Sequence, residues 1–457
     1  MRTCEKALII ILLFTIFFLP SPGCAAGYLT GKVIDLLTGQ PIKGAIITSG
    51  HEVVLTDKNG AFFTKTDENT LFVRAHGYLR AEVSVGTNVL NMPEIKLTPF
   101  TPKALYLTVY GIGDREIRKS AVKLIEETEL NSLVIDVKGD KGMIPYKSSI
   151  PLASKLGAQK IITVRDIDGL MKDLKAKGIY TIARIVTFKD NLLAQARPDL
   201  AVKRNGIVWK DRENLSWVDP SKKEGWDYNI SIAIEAAKLG FDEVQFDYVR
   251  FPDTKGLVFS VPNNEENRTK AITGFLSEAK KRLVPYNVYL AADIFGYVCW
   301  NTNDTDIGQK IEAVSAIVDY ISPMLYPSGF QYGIPGYRNP VAHSYEIVNL
   351  SLKRAIERTN LSPTRFRPWL QAFKDYAFDR RHFTAAEISD QIKASDASGS
   401  NGWMLWNPRN IYSQNGLKRE DRKFMMTYIT LGESLSPKEA KKSSGILESW
   451  SGLSYTN

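Results

Sequence analysis

The stretch Phe-Asp-Glu-Val-Gln-Phe-Asp-Tyr-Val-Arg-Phe-Pro, residues 241–252, decides the fold. Successive side chains of a strand point to opposite faces, so Glu243, Gln245 and Asp247 share one face while apolar residues dominate the other. A strand of this kind is covered on both faces, as the strands of a parallel sheet are. If the polar face is turned towards the inside of a barrel, Asp247 lies nearest the rim.

Similar strands recur along the chain and alternate with helical stretches. The predicted strands are 104–109, 132–137, 180–186, 243–249, 288–295, 320–325, 368–373 and 403–406. The helical stretches between them include 115–128, 167–177, 226–239, 269–283, 341–359 and 385–398. Eight such units predict a (β/α)8 TIM barrel over residues 103–430. A doubly wound open sheet is the alternative, but eight consecutive strands and the lack of a Gly-rich phosphate loop argue against it.

Residues 28–98 have a different pattern, with short alternating strands separated by Gly, Pro, Asn and Asp turns. This spacing predicts a small all-β sandwich domain. The runs GKVID (31–35), TGQPIKGA (38–45), TDKNGAF (56–62) and VRAHGY (73–78) resemble the carboxypeptidase regulatory-like domain. The resemblance implies a non-catalytic accessory module, joined to the barrel by the stiff linker 99–102.

The two ends of the chain are predicted to lie outside these domains. Arg2 and Lys6 precede an apolar run over residues 7–19, and small residues follow it. This order is typical of a secretory signal peptide over residues 1–26, so we expect an exported protein. Cleavage after Ala26 is the first choice, and Cys24 offers a lipoprotein site as the alternative. The polar residues 433–457 predict a disordered tail.

Composition argues against several classes of function. The formal charge of +9 is spread along the chain. This distribution fits a solvated surface or peripheral association with anionic envelope polymers, and it is only weak evidence for nucleic-acid binding. Once residues 1–26 are removed, Cys299 is the last cysteine, so no intramolecular disulfide is expected. The four His form no zinc pattern with cysteine, and Ser328 and Cys299 lack an activating His motif. We therefore predict no metal and no cofactor.

In a (β/α)8 barrel the active site lies at the carboxyl ends of the strands. The predicted strand ends carry two groups of polar and aromatic side chains. Asp247 and Asp293 are candidate catalytic carboxyl groups. The candidate substrate-binding residues are Asp136, Lys138, Arg184, Tyr248, Arg250, Tyr326, Gln371 and Trp406. A mixed acidic and aromatic pocket of this kind suits the hydroxyl groups and the ring faces of sugars.

Asp247 has two possible roles. It could form a buried ion pair with Arg184 or Arg250 and have no chemistry of its own. Asp293, at the end of the neighbouring strand, favours a catalytic role, because glycoside hydrolysis uses two carboxyl groups across one bond. These groups are about 5–5.5 Å apart in retaining enzymes and about 6.5–9.5 Å apart in inverting enzymes. Neighbouring barrel strands can provide either distance, so both outcomes stay open.

Residues 103–430 resemble a family of bacterial glycoside-hydrolase barrels that is largely uncharacterised and distantly similar to alpha-amylase-type barrels. The resemblance rests on residues 241–252, ADIFG (292–296), IGQ (307–309), SPMLYPS (322–328) and RPWLQAF (367–373). It implies that Asp247 is the nucleophile and Asp293 the acid/base. The chain departs from the amylase pattern in two places. It has Gln245 where those barrels have an Arg, and Asp rather than Glu on the fifth strand.

Two hypotheses of different class follow. The first is an exported O-glycosyl hydrolase that cleaves an envelope or extracellular polysaccharide. The second is a catalytically inactive carbohydrate-binding or scaffolding barrel at the cell surface. In both, the partner is a polysaccharide or oligosaccharide rather than a nucleic acid. The sugar, the linkage and the oligomeric state stay open at this point.

Overall fold

A computed structural model describes residues 27–66, 68–86, 92 and 94–420. The predicted signal peptide 1–26 and the predicted tail 433–457 lie outside these residues. Two kinds of sheet make up the described chain. Seven strands near the N-terminus form two small sheets, and eight later strands close into a parallel barrel surrounded by helices.

The first seven strands are β1 Gly27–Asp35, β2 Ile46–Ser49, β3 Glu52–Leu55, β4 Ala61–Thr66, β5 Thr70–Arg74, β6 Ala81–Ser84 and β7 Ile95–Leu97. They form one sheet in the order β4-β1-β7 and a second in the order β3-β2-β5-β6. The alternating burial of β4 shows how the sequence makes a sheet with one covered face. Apolar residues of both sheets, among them Leu29, Val33, Ile47 and Val73, form one shared core.

The barrel strands are β8 Lys103–Leu107, β9 Ser132–Lys138, β10 Tyr180–Val186, β13 Glu243–Asp247, β14 Tyr289–Phe295, β15 Tyr320–Met324, β16 Trp369–Gln371 and β17 Trp403–Trp406. A two-stranded hairpin, β11 Lys203–Arg204 and β12 Ile207–Val208, lies in the connection after β10. Each barrel strand pairs in parallel with the next, and β17 pairs with β8. The predicted (β/α)8 barrel is therefore confirmed, together with separate N-terminal sheets.

The helices are α1 Arg115–Glu127, α2 Pro151–Leu156, α3 Ile167–Ala176, α4 Asn191–Ala196, α5 Lys223–Lys238, α6 Glu265–Leu283, α7 Ile311–Ser315, α8 Ser344–Thr359 and α9 Ala385–Ala397. Side-chain caps fix several of their starts. The Asp114 carboxylate accepts from the first-turn amides of α1, and Thr384 and Glu387 form a capping box at α9. Within the described residues, no helix combines the length and apolar character needed to cross a membrane.

Two predicted strands are shorter than expected. The strand predicted to reach residue 249 ends at Asp247, because Tyr248 adopts a left-handed backbone with φ of 47°. The strand predicted over 368–373 is reduced to Trp369–Gln371, and Pro368 before it has no N–H to donate to a ladder. Both differences lie at strand ends, where local backbone geometry overrides the apolar pattern.

A turn of the N-terminal sheets covers the floor of the barrel, at the amino ends of its strands. The Tyr289 hydroxyl lies 2.8 Å from the carbonyl oxygens of both Ala75 and Tyr78. The Tyr320 hydroxyl accepts a hydrogen bond of 3.0 Å from the backbone N–H of Gly77. Tyr289 and Tyr320 begin β14 and β15, so the turn contacts the first residues of two neighbouring barrel strands.

Arg80 extends this contact along the rim of the floor. Its guanidinium donates to the carbonyl oxygens of Asn287 at 3.1 Å and Gly240 at 3.2 Å, and it pairs with Asp242 at 3.3 Å. The first two groups are backbone atoms of the connections that lead into β14 and β13. The N-terminal sheets are thus fixed to the barrel by directional bonds as well as by packing.

The barrel interior is filled by polar as well as apolar side chains. On the floor, Arg367 donates to both oxygens of Glu243 at 2.8 and 2.7 Å, and both side chains are fully buried. The Tyr180 hydroxyl donates to the same carboxylate at 3.0 Å, and the Arg367 guanidinium lies 4.2 Å from the centre of the Tyr320 ring. The prediction that the polar face of the fourth strand is turned inwards agrees with these contacts.

We expect the Arg367→Met substitution to lower the free energy of unfolding by about 3–5 kcal/mol, because it leaves Glu243 buried without its charged partner. Urea-induced unfolding at neutral pH, followed by tryptophan fluorescence, measures the change. Lys310→Met is the matched control, since it breaks an exposed pair with Glu265 and costs at most about 1 kcal/mol. Equal losses in the two variants would contradict the role given to the buried pair.

Candidate active site

Asp247 stands at the carboxyl end of β13 and belongs to an ion-pair network that crosses three strands. The Arg184 guanidinium, from β10, holds the Asp247 Oδ2 atom through Nε at 3.0 Å and through Nη2. Its Nη1 donates at 2.6 Å to Asp136, from β9, which also accepts from the Tyr106 hydroxyl at 2.6 Å. Burial raises the pKa of Asp136 to about 6, although Arg184 acts in the opposite direction.

Asp293, on β14, lies in a different environment. Its Oδ1 atom accepts from the Gln245 amide at 2.7 Å and from the Trp369 indole N–H at 2.8 Å. Within the described residues its Oδ2 atom is buried and has no hydrogen-bond partner. Burial, followed by the negative charge of Asp247, raises the pKa of Asp293 well above its usual value. The fold therefore favours the protonated form of Asp293.

The two carboxyl groups are neighbours across one strand pair. β13 and β14 pair in parallel, and Phe246 opposite Ala292 is the last pair of their register. Asp247 and Asp293 stand one residue further along, on the inward face. Neighbouring strands lie about 4.8 Å apart. The structure thus places the ion-paired Asp247 beside Asp293, whose pKa is raised, at the same level of the barrel.

Aromatic side chains surround this pair of carboxyl groups. Trp406 stacks on Tyr106 with the ring centres 3.9 Å apart, and the Arg184 guanidinium lies 4.7 Å from the centre of the Trp406 ring. Tyr326 is half-buried and packs edge-on against Phe373. Burial, together with the charges of Asp247 and Asp293, raises the pKa of Tyr326, so its phenol stays protonated. Aromatic side chains therefore lie beside the two carboxyl groups.

Lys138 does not join this group. Between Arg184 and Ile185 the register of β10 against β9 moves by one residue, so that Arg184 pairs with Asp136 and Ile185 with Lys138. The extra residue in β9 turns Lys138 away from the mouth, where alternation from Asp136 had placed it. The Lys138 ammonium is fully buried and donates to Asp190 at 2.7 Å. We correct its predicted substrate-binding role to a structural one.

Gln371 also has a supporting position. Its amide nitrogen donates to the Ser328 hydroxyl at 2.7 Å and to the Phe373 carbonyl at 3.1 Å, and its oxygen accepts from the Ser328 backbone N–H at 3.0 Å. The Ser328 hydroxyl donates in turn to Asp375 at 2.7 Å. Gln371 is fully buried and joins the loops after β15 and β16. It shapes the mouth rather than facing a ligand in it.

Tyr248 and Arg250 follow Asp247 in the loop after β13. The left-handed backbone of Tyr248 is costly for a residue with a large side chain. Its ring packs edge-on against Trp217, and the Lys189 ammonium lies 5.0 Å from the ring centre. The Arg250 guanidinium lies over both rings, 5.0 Å from the centre of Trp217 and 5.3 Å from that of Tyr248. These residues form one wall of the mouth.

Five side chains that contribute to the site are not among the predicted site residues. Trp369 and Gln245 hold Asp293, and Tyr106 holds Asp136. Alternation could have identified the first two, because it places Trp369 between the inward residues Arg367 and Gln371, and places Gln245 between Glu243 and Asp247 on the polar face. Lys189 and Trp217 reach the site from long connections, whose path no periodicity predicts.

The described part of the chain shows no cluster of three or more His, Cys, Asp or Glu side chains that could hold a metal ion. The side chains at the strand ends offer carboxyl groups, phenols and cations. Closed (β/α)8 barrels carry their active sites at the carboxyl ends of the strands, where Asp247 and Asp293 lie. Residues 104–412 match the family described as "Putative glycosyl hydrolase domain", and the chain belongs to this family.

Several solved structures are similar to the chain. A hypothetical protein from Ruminiclostridium thermocellum ATCC 27405 is 41% identical over 41% of this chain and 96% of its own, with a TM-score of 0.38. The PgaB (BpsB) glycoside hydrolase domain from Bordetella bronchiseptica is 12% identical over 68% of this chain and 95% of its own, with a TM-score of 0.47. A class V chitinase from Pseudomonas fluorescens Pf-5 is 12% identical over 68% and 96%, with a TM-score of 0.42. No curated protein matches the chain.

We expect the Asp293→Asn substitution to raise the free energy of unfolding at pH 7. The unfolded chain releases the Asp293 proton above pH about 4, whereas the folded state keeps it, so the stability of the native protein falls as pH rises towards the folded pKa. The asparagine variant lacks this loss, and the two proteins converge near pH 4. Urea-induced unfolding across this pH range measures the difference.

Asp379→Asn provides the control of opposite sign. Asp379 is exposed, and its hydrogen bond to Arg381 lowers the pKa of its carboxyl group, so charge is favoured in the folded state. Its replacement does not stabilise the protein at pH 7. If Asp293→Asn instead destabilises the protein at pH 7 and leaves the pH dependence unchanged, Asp293 is ionised in the folded state.

Proposed function

We propose that the protein is a retaining O-glycosyl hydrolase in which Asp247 and Asp293 act as a pair. The observation that carries the proposal is the contrast between these two neighbours. Asp247 is ion-paired with Arg184, whereas Asp293 is buried against the neutral donors Gln245 and Trp369, and burial raises its pKa. Two carboxyl groups whose environments differ in this way are suited to separate roles as nucleophile and acid.

The proposed reaction uses both groups twice. Asp247 attacks the anomeric carbon while the glycosidic bond breaks, and the leaving oxygen takes the proton of Asp293. Water then gives a proton to the Asp293 carboxylate and attacks the same carbon, which releases Asp247. Retaining enzymes hold the two groups about 5–5.5 Å apart, a distance that residues on neighbouring strands can provide.

The other side chains have supporting roles in this proposal. Arg184 orients the Asp247 carboxylate and is itself held by its second ion pair, with Asp136. Trp406 and Tyr326 offer an aromatic face and a phenol to the sugar at the mouth. The roles of Asp247 and Asp293 follow the alpha-amylase-like assignment. Gln245 and Asp293 are the two positions at which the chain departs from the amylase pattern, and they contact each other, since Gln245 donates to Asp293.

One observation favours a second candidate function. The Oδ2 atom of Asp293 is sealed from solvent, and Asp247 is already neutralised by Arg184. Proton transfer to a sugar oxygen therefore requires that substrate binding opens a path to Asp293. A barrel without such a path would bind carbohydrate at its aromatic mouth without cleaving it.

We further propose where the protein acts. Export through residues 1–26, with or without an anchor at Cys24, would place the barrel on envelope or extracellular polysaccharides. The N-terminal sheets would serve as a carboxypeptidase regulatory-like accessory module. The polar residues 433–457 would form a disordered tail. N-terminal sequencing of the secreted protein and its fractionation between membrane and medium test the export and the anchor.

We expect both Asp247→Asn and Asp293→Asn to reduce product release by at least about 100-fold, because each removes a group that acts in the bond-breaking step. The purified protein is incubated with bacterial exopolysaccharides and peptidoglycan, and released sugars are detected by mass spectrometry. Asp306→Asn is the matched control, since Asp306 is an exposed carboxylate in the connection after β14. We expect the activity of the Asp306→Asn variant to equal that of the wild type.

Aryl glycosides of the released sugar separate the two roles. A dinitrophenolate leaving group needs no proton, so Asp293→Asn retains the first step on this substrate while Asp247→Asn does not. The wild-type activity on natural glycans falls at alkaline pH as Asp293 loses its proton, and Asp293→Asn removes this limb. Product release that survives Asp247→Asn would exclude Asp247 as the nucleophile, and saturable binding without any product would favour the inactive barrel.

A further inference from the structure

Arg250 differs from the other cations around the barrel mouth. Arg184 pairs with Asp136 and Asp247, and Lys138 and Lys189 each have a carboxylate partner at 2.7 Å. Across the residues that the structure describes, no carboxylate lies within ion-pair distance of the Arg250 guanidinium. Its protein hydrogen bond there runs from Nη1 to the Phe251 carbonyl at 3.0 Å.

The guanidinium of Arg250 is held in place but not saturated. It lies beside the edge-on pair of rings of Trp217 and Tyr248, within cation–π distance of both, and these contacts restrict its movement. A guanidinium carries five N–H donors, and the Phe251 carbonyl uses one of them. The side chain is half-buried, and none of its nitrogens is among the sealed unpartnered atoms of the described residues. Donors therefore remain for a ligand from solvent.

The surroundings of Arg250 make an uncompensated charge costly. Burial lowers the pKa of its guanidinium, and the negative charges of Asp247, Asp253 and Asp211 act on it only from beyond ion-pair distance. Its neighbour Trp217 is almost fully buried, so on that side the guanidinium faces protein rather than water. A desolvated cation is stabilised when an anion completes its pairing. The protein itself supplies no such anion within the described residues.

A second cation points to the same class of ligand. Arg212 is exposed on the connection that also holds Trp217, and no ion pair joins it to a described carboxylate. Its positive charge acts on Tyr376, whose ring is stacked on Phe373 at the opposite side of the mouth. The wall after β10 and β13 thus presents two cations that are free to meet a ligand close to Asp247.

We propose that Arg250 binds a carboxylate of the sugar substrate, so that the polysaccharide recognised at this mouth is acidic and contains hexuronate units. The inference rests on the proposed function, because it uses the same mouth. A planar carboxylate can accept two parallel hydrogen bonds from a guanidinium held in a fixed plane. Arg250 is then a residue that determines specificity and takes no part in bond cleavage.

Binding is measured by calorimetry in the Asp293→Asn background, so that turnover does not consume the oligosaccharide. The probes are oligomers of galacturonate, of mannuronate and of hyaluronan, each compared with its methyl ester, which has the same shape without the charge. We expect at least one acidic oligomer to bind more tightly than its ester, and the preference to weaken as salt is added.

Arg250→Gln is expected to reduce the affinity for the acidic oligomer by about 10- to 100-fold and to leave the ester unaffected. Arg250→Lys restores part of the loss because it keeps the charge. Arg354→Gln is the matched control, since Arg354 also lies over a tryptophan, Trp300, on the surface of α8. Thermal unfolding and circular dichroism verify that each variant is folded.

Three results would overturn the inference. They are equal binding of the acid and the ester, an equal loss of affinity for both in Arg250→Gln, and failure of every acidic oligomer to bind. An equal loss of affinity would mean that Arg250 only supports Tyr248. The outcome is separate from the proposed hydrolysis. Binding that depends on Arg250 without product release would support the inference and contradict the enzyme, whereas cleavage of acidic glycans by Arg250→Gln at the wild-type rate would do the reverse.

Discussion

Arg184 is the interaction on which the organisation of the barrel mouth depends. It is a buried cation on β10 that joins Asp136 on β9 to Asp247 on β13, so it ties three neighbouring strands together inside the barrel. Two buried charges are stable only when geometry and hydrogen bonds compensate the loss of water. The network meets this condition, and in doing so it fixes the orientation of Asp247 and gives Trp406 a charged face to pack against.

The contrast between Asp247 and Asp293 is a consequence of this arrangement. One carboxyl group has the cation, and its neighbour has only neutral donors, Gln245 and Trp369. Burial and the negative charge of Asp247 raise the pKa of Asp293, and Arg184, which pairs with Asp136 and Asp247, only partly offsets them. Two residues of the same type thus have different environments at the mouth of one barrel.

Much of this organisation could be predicted from the sequence, because it depends on alternation and on the order of strands. Eight apolar segments identified the barrel, and the inward face of residues 243–247 followed from period two. Lys138 was misplaced because one extra residue in β9 shifts the alternation, and nothing in the local pattern marks such a bulge. Tyr248 was expected within a strand, yet its left-handed backbone ends that strand. The stacking of Arg250 on Trp217 depends on a long connection whose path no periodicity describes.

The turn that covers the barrel floor makes the two parts of the chain interdependent. Without residues 75–80, the hydroxyl groups of Tyr289 and Tyr320 would lose their partners, and aromatic rings at the start of two strands would meet water. An accessory module attached only by a linker can be exchanged, removed or fused elsewhere without harm to its neighbour. Here the smaller part acts as the base plate of the larger one, so its removal is expected to destabilise the barrel as well.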